Sequence, residues 1–503
     1  MKRVAILIPL LCSVSLTAQV RISVAADRPV RTMLGGMGAS WHAIEDPKAG
    51  KRPDGGMLAG SAWGANPPAD DARAWKELTR HADWLGLDWC RVEVEQRMYE
   101  PKRREFSWDN DEMRILYRIL DWAEKRGVDV FLQQMWSGTH WNAYPELRPS
   151  LLGRLISAPL SMDDFAYGLG EFVEHLTRVK KYRSIKWLSI NNEPGYNWSW
   201  WQGPDGKPLP ITPGLAAARK ELDRRGISLP LSGPDWTDLP ELVPSKIDFN
   251  EHIGAYDIHS YFANFDGGKG GYPLSTAEAR LRRWAYWAHS RKKPFFLSEV
   301  GTMVFGWRDS NPGPGSYESG VKDASLVVRG IRAGVDGFNR WSFTNRGDLD
   351  GQWQLVDTWD IESGKLRTKF TPHPNAYYLY GLLSRFTAKG STTMPVSISP
   401  GYSEKERQLV ATALKSPKGQ FSLLVVNERE EDVPANFTAT GLAGGVKLNR
   451  YRMTLSERDR ADVSVRPAVR FAAESFADTV PRMSVTVYTT YNLKPFAAGI
   501  TLD

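Results

Sequence analysis

The chain has 503 residues, 24% of them charged and 42% hydrophobic, a balance that excludes a disordered or low-complexity protein. Its length exceeds one ordinary domain, so a large domain with a smaller companion is expected. The formal charge of +7 falls to +5 without Lys2 and Arg3, and the other basic residues are scattered in short groups such as Lys102-Arg103-Arg104, with no continuous stripe to hold nucleic acid.

Residues 1–19 read as a secretory signal peptide: Lys2 and Arg3, an apolar run over 4–16, then the small-residue exit Thr17-Ala18-Gln19. A secreted or periplasmic protein is therefore expected. No later apolar run is long enough for a membrane span, so no membrane insertion is expected. Cys12 falls inside the signal, which leaves Cys90 alone: no disulfide framework and no metal-type spacing, and a small core residue more than a nucleophile.

Past a strand-like stretch at 20–24, short apolar runs alternate with amphipathic ones. The runs at 34–39, 88–94, 129–134, 186–191, 229–232, 255–260, 294–298 and 337–343 read as eight strands. Helices are expected at 70–85, 109–126, 162–180, 213–225, 275–291 and 317–333, with Asp109 and Ser275 as N-caps, and a last one at 375–386. Trp75, Leu78, His81 and Leu85 recur at helical spacing in the first. Eight strands alternating with helices point to an α/β fold, a (β/α)8 barrel over 34–387. An open doubly wound sheet would carry a Gly-rich phosphate loop after its first strand, whereas Gly35-Gly36-Met37-Gly38 lies before or within it. After the last helix, short strands at 396–398, 408–414, 420–426, 435–440, 446–453 and 483–490 read as a C-terminal antiparallel β-sandwich over 388–503, which segment 20–33 is expected to join.

In a barrel, chemistry gathers where the strands end. Asn192-Glu193 closes the fourth strand, in LSINNEPGYNWSWWQG, and Ser298-Glu299 closes the seventh, in PFFLSEVGTM. Two carboxylates facing each other across a barrel mouth are what glycosidic bond hydrolysis requires, one as acid and one as nucleophile or base. Either glutamate by itself could be a rim salt-bridge partner. The 20 tryptophans, several in predicted loops, suit a groove for flat sugar faces as well as they suit ordinary packing.

Asn192-Glu193-Pro194 with Ser298-Glu299-Val300-Gly301 resembles clan A of the retaining glycoside hydrolases. With the added sandwich, the chain is most similar to family 30, with families 39 and 5 as neighbours. The resemblance implies Glu193 as general acid/base and Glu299 as nucleophile. It implies Asn192 on the sugar 2-hydroxyl, Arg91 holding the nucleophile ionised, His259 and Tyr261 as the polar pair beside it, and Trp341 as the platform under the sugar. A retaining enzyme places its two carboxyl groups about 5–5.5 Å apart. The acid needs a raised pKa from burial or a nearby negative charge, and the nucleophile a lowered one from Arg91. No cofactor or metal is implied, and the partner is a carbohydrate. The other class of reading is a non-catalytic carbohydrate-binding protein on a barrel scaffold, against which the presence of both glutamates argues.

Weaker candidates surround these. Trp198, Trp200 and Trp201 would line the groove, and Trp136, His140 and Trp141 either shape a subsite or pack within their loop. Glu93 and Glu95 read as sugar contacts or rim salt bridges, Asp235 and Trp236 as residues after the fifth strand, and Trp41 and His42 as subsite contacts after the first. Asp348 and Asp350 do not make a calcium loop.

Overall fold

The computed structural model describes residues 20–44, 64–195, 200–236, 249–262, 274–302, 313–347, 351–400, 409–460 and 469–492. The expected signal, Trp198, Asp348 and Asp350 lie outside them.

Two strands, β1 Val20–Ala25 and β2 Arg31–Met33, precede the barrel. The barrel strands follow: β3 Gly36–His42, β4 Trp89–Glu95, β5 Asp129–Trp136, β6 Ile185–Ser189, β7 Ser232–Trp236, β8 Ala255–Phe262, β9 Phe295–Thr302 and β10 Gly337–Arg340. They form one parallel sheet in the order β6-β5-β4-β3-β10-β9-β8-β7. A bridge between Leu188 and Leu231 joins its two edges, giving the (β/α)8 barrel. Several strands extend further than the sequence suggests. The largest offset is β7, which lies at Ser232–Trp236 and not at 229–232, because Gly233-Pro234 reads as a break in a strand.

Side chains alternate between barrel interior and helix layer. Trp89, Phe131, Ala255 and Phe296 form an aromatic floor inside the barrel, with Trp187 packed at its edge. Two residues further along β4, β5 and β8, Arg91, Gln133 and Asp257 stand above that floor and are buried. Polar groups are therefore stacked on an apolar plug that shuts out water from below.

The helices start and stop by ordinary capping. Asp71 caps Ala72–Leu85 by accepting from the Ala74 N–H, and Gly86 ends it at φ 62°. Asn110, not Asp109, caps Asp111–Arg126 through the Met113 N–H; the helix begins one residue later than the acidic pair suggests. Ser275 falls inside the first turn of Leu274–Ser290 and so is not its cap.

After β10 a hairpin that the sequence reading leaves as loop, β11 Val356–Asp360 and β12 Lys365–Pro372, precedes the helix Ala376–Ser384. The remaining strands are β13 Ser391–Met394, β14 Val396–Ser399, β15 Leu409–Lys415, β16 Phe421–Asn427, β17 Val433–Thr440, β18 Lys447–Met453, β19 Val469–Ala472, β20 Ser475–Val480 and β21 Ser484–Thr489. They make sheets ordered β14-β1-β17-β20 and β19-β18-β21-β16-β15-β13-β2. All pairs are antiparallel except β1 with β17, which is parallel, so the sandwich is not wholly antiparallel as expected. Val20, Ile22 and Val24 of β1 share one core with Leu423 and Val425 of β16. Leu424 and Val426, on the other face of β16, belong to the barrel's core. Burial on both faces explains the unbroken apolar run FSLLVVN.

Candidate active site

The centre is built where β4, β6, β7, β8 and β9 meet. Arg91, third residue of β4, points inward and is fully buried. Its Nη1 donates to Glu299 Oε1 at 2.6 Å and also to Glu93. Its Nη2 donates to Asn192 Oδ1 at 2.6 Å and reaches Asp235 Oδ2 at 3.4 Å. One planar guanidinium thus ties three carboxylates and an amide together.

Glu299 faces the same space because of a bulge. The pairing of β8 with β9 runs Ile258 to Leu297 and then His259 to Glu299, skipping Ser298. That extra residue turns Glu299 inward beside Ser298. Glu299 therefore lies within the strand, not at its end as read from sequence. Tyr261 donates its hydroxyl to Glu299 Oε2 at 2.5 Å.

Glu193 approaches from the segment after β6. Its backbone is left-handed, at φ 47°, a conformation that costs about 1–3 kcal/mol for such a residue. Its N–H donates to the Asp235 carbonyl at 3.1 Å, which pins the turn. His259 lies between the two glutamates: Nδ1 is 2.7 Å from Glu193 Oε1 and 3.2 Å from Glu299 Oε2. Its Nε2 is 3.0 Å from Asp235 Oδ1. Oxygens of Glu193 and Glu299 and a nitrogen of His259 all lie within 4.8 Å of one another. Among the described residues this is also the one cluster spaced to ligate a metal ion.

Burial is the largest influence on Glu299 and pushes its carboxyl upward; His259 and Arg91 pull it down, and Glu193 and Glu93 push it further up. The net direction is up, contrary to the expectation that Arg91 leaves it lowered. Burial works against a charged His259, yet Glu299 and Asp235 outweigh it and hold the imidazole well above its ordinary range. The ring, with carboxylates at both nitrogens, is the better seat for the shared proton. Asp235 is raised by burial and lowered more by His259 and Arg91, ending below the usual carboxylate range. Beneath it, burial and then the Asp235 charge push Asp257 up to about 8.

The structure thus brings together Arg91, Asn192, Glu193, His259, Tyr261 and Glu299. Trp341 is buried just past β10 and stands edge-on to His42 at 4.8 Å; His42 Nδ1 is 2.5 Å from Glu93, the partner of Arg91. Glu93 is therefore an interior partner and not a rim residue. Glu95 is buried too, paired with Arg97, which in turn holds Glu112 at 2.7 Å. Trp41 alternates outward and packs on Trp75, Trp122 and Phe343, so it is no subsite contact. Trp236 likewise packs on Phe249 and Trp284. Trp136 is buried edge-on against Trp200 at 5.4 Å, His140 is exposed, and the Trp141 indole donates to the Glu100 carbonyl. Burial pushes the Cys90 thiol up, in keeping with a core residue.

No protein-family model matches the sequence, and no curated protein matches it. Solved structures do. A glycoside hydrolase family 30 endoxylanase from Clostridium papyrosolvens superposes with TM-score 0.58, at 13% identity, over 93% of this chain and 99% of that one. The chain shares its fold. A conserved exported protein from Bacteroides fragilis gives TM-score 0.64 at 13% identity, covering 93% of this chain and 100% of that one. An endo-β1,6-glucanase gives 0.60 at 14% identity over 94% of each chain. At such identities the likeness concerns the barrel with its sandwich.

Proposed function

We propose that this chain is a retaining β-glycoside hydrolase acting by double displacement on an oligosaccharide or polysaccharide. The single observation that carries the reading is the pair Glu193 and Glu299, with oxygens within 4.8 Å across His259. That is closer than the roughly 6.5–9.5 Å an inverting pair needs to admit a water between carboxylate and sugar. The shared fold with an endoxylanase and an endo-β1,6-glucanase supports the class.

In the first step Glu193 gives its proton to the glycosidic oxygen while a Glu299 oxygen bonds the anomeric carbon and the leaving group departs. In the second, Glu193 takes a proton from water, whose oxygen bonds the same carbon and releases Glu299. Arg91 and Tyr261 hold one Glu299 oxygen each, which fixes the carboxylate plane for attack. Asn192, tethered by Arg91, would meet the neighbouring sugar hydroxyl. Trp341, with Trp136 and Trp200, would bound the sugar site. The proposal extends to export, on the basis of the amino-terminal sequence. Among the described residues no helix is long and apolar enough to cross a membrane.

The test is a panel of aryl β-glycosides with the wild type, followed by Glu299→Ala and Glu193→Ala. Glu299→Ala loses turnover on every substrate. Glu193→Ala still forms the glycosyl-enzyme from activated aryl substrates, and azide releases it with retained anomeric configuration, read by NMR. An inverted azide product from Glu193→Ala would exchange the two roles. A wild type that cleaves no β-glycoside ends the reading.

A further inference from the structure

Asp235 makes no bond to the sugar in the proposed reaction, yet the site is tied together through it. Its Oδ1 accepts from Ser298 Oγ at 3.1 Å and meets His259 Nε2 at 3.0 Å. Its Oδ2 accepts from Gln133 Nε2 at 3.1 Å and from Arg91 Nη2 at 3.4 Å. Its carbonyl holds the Glu193 N–H, and its own N–H is held by Asp257 Oδ1 at 3.1 Å. The residue sits at φ 56°, in the left-handed region. Ser298, Gln133 and Arg91 all donate to this carboxylate, so it meets His259 as an acceptor, and the proton between them belongs to Nε2. On the other side Nδ1 also faces carboxylates, Glu193 and Glu299.

We infer that Asp235 is a positioning residue that keeps His259 a donor at both ring nitrogens, so that one Nδ1–H is shared by Glu193 and Glu299 before the glycosyl-enzyme forms and passes wholly to Glu193 afterwards. The inference rests on the reading of Glu193 and Glu299 given above. A single hydrogen faces two acceptors. In the free enzyme the hydrogen is shared, with Nδ1 2.7 Å from Glu193 and 3.2 Å from Glu299. Once Glu299 is an ester its charge is gone, and the Glu193 carboxylate, having lost its proton to the leaving group, becomes the anion beside Nδ1. His259 exchanges no proton in either step; only the sharing of its hydrogen bond changes. Asp235 matters most in the second step, because the ester no longer helps to hold the ring's charge. Without that charge the ring is free to give up its Nδ1 hydrogen, and the Glu193 carboxylate is no longer held for the attacking water.

The experiment uses Asp235→Asn in the full chain, with an activated aryl β-glycoside that the wild type turns over. The amide keeps the shape and removes the charge. Glycosyl-enzyme formation is expected to persist while its hydrolysis slows. Phenol release then shows a burst stoichiometric with enzyme, kcat and KM fall together by about 10–100-fold, kcat/KM changes little, and azide restores kcat. A merely structural loss would lower kcat/KM and kcat alike without a burst, and that result overturns the inference. If thermal melting shows Asp235→Asn unfolded, His259→Leu, which removes the shared hydrogen, must give the same burst; a variant without one overturns it equally. A wild type that releases no phenol from any aryl glycoside is a different failure, that of the functional reading itself.

Discussion

Replacing Arg91 by lysine keeps a cation under Glu299 and removes the fork. The guanidinium is fully buried and spans Glu299 and Asn192, both at 2.6 Å, together with Glu93 and Asp235. A lysine ammonium places its three donors at one point and cannot reach acceptors on both sides of the former plane. If it stays with Glu299 and Glu93, the bonds to Asn192 and Asp235 are lost. At about 1.5–3 kcal/mol for a hydrogen bond to a charged group, the expected destabilisation is about 3–5 kcal/mol, the range for breaking a buried pair. On the proposed function, the Asn192 contact is the part of this that the transition state feels. Its loss, about 1.5–3 kcal/mol, lowers kcat/KM by roughly 10–150-fold. The assay is kcat/KM on an aryl glycoside beside the urea midpoint of unfolding. An unchanged midpoint with kcat/KM within about threefold of wild type would refute the view of Arg91 as the fork that organises this centre.

Other consequences can be checked separately. Burial pushes Asp88 up to about 7, although the Met37 and Lys389 N–H groups bond it. Its folded pKa lies above the unfolded value of about 3.8, so its contribution to stability is present at low pH and is lost as pH rises through about 7. Asp88→Asn should therefore gain in melting temperature relative to wild type between pH 4.5 and 7.5; parallel profiles would show that Asp88 titrates normally. Ile22, fully buried in β1 between β14 and β17, is a test of the sandwich. Ile22→Asp buries an unpaired charge and should cost at least about 3 kcal/mol, seen as a lower urea midpoint, whereas a midpoint within about 0.5 kcal/mol of wild type would mean that β1 is dispensable.

The sequence by itself determined the barrel and drew attention to two carboxylates near its strand ends. Strand and helix differ in period, so the alternation of FFLSEV-type runs with amphipathic stretches can be read from local spacing alone. Glu193 and Glu299 were legible for the same reason, as carboxylates at the apparent ends of buried strands. What only the tertiary structure decided is which side chains meet. Asp235 looked like one more residue after a strand, because Gly233-Pro234 hid the strand that carries it; closure of the barrel places it against β4, β8 and β9 at once. Glu93 and Trp41 had looked equally suited to the mouth, and the pleat sends one inward to Arg91 and the other outward to Trp75. The inward turn of Glu299 depends on a one-residue bulge that appears only in the pairing of β9 with its neighbours. A side chain's charge, donor or acceptor role and burial are set by neighbours distant in the chain, and local spacing carries no record of them.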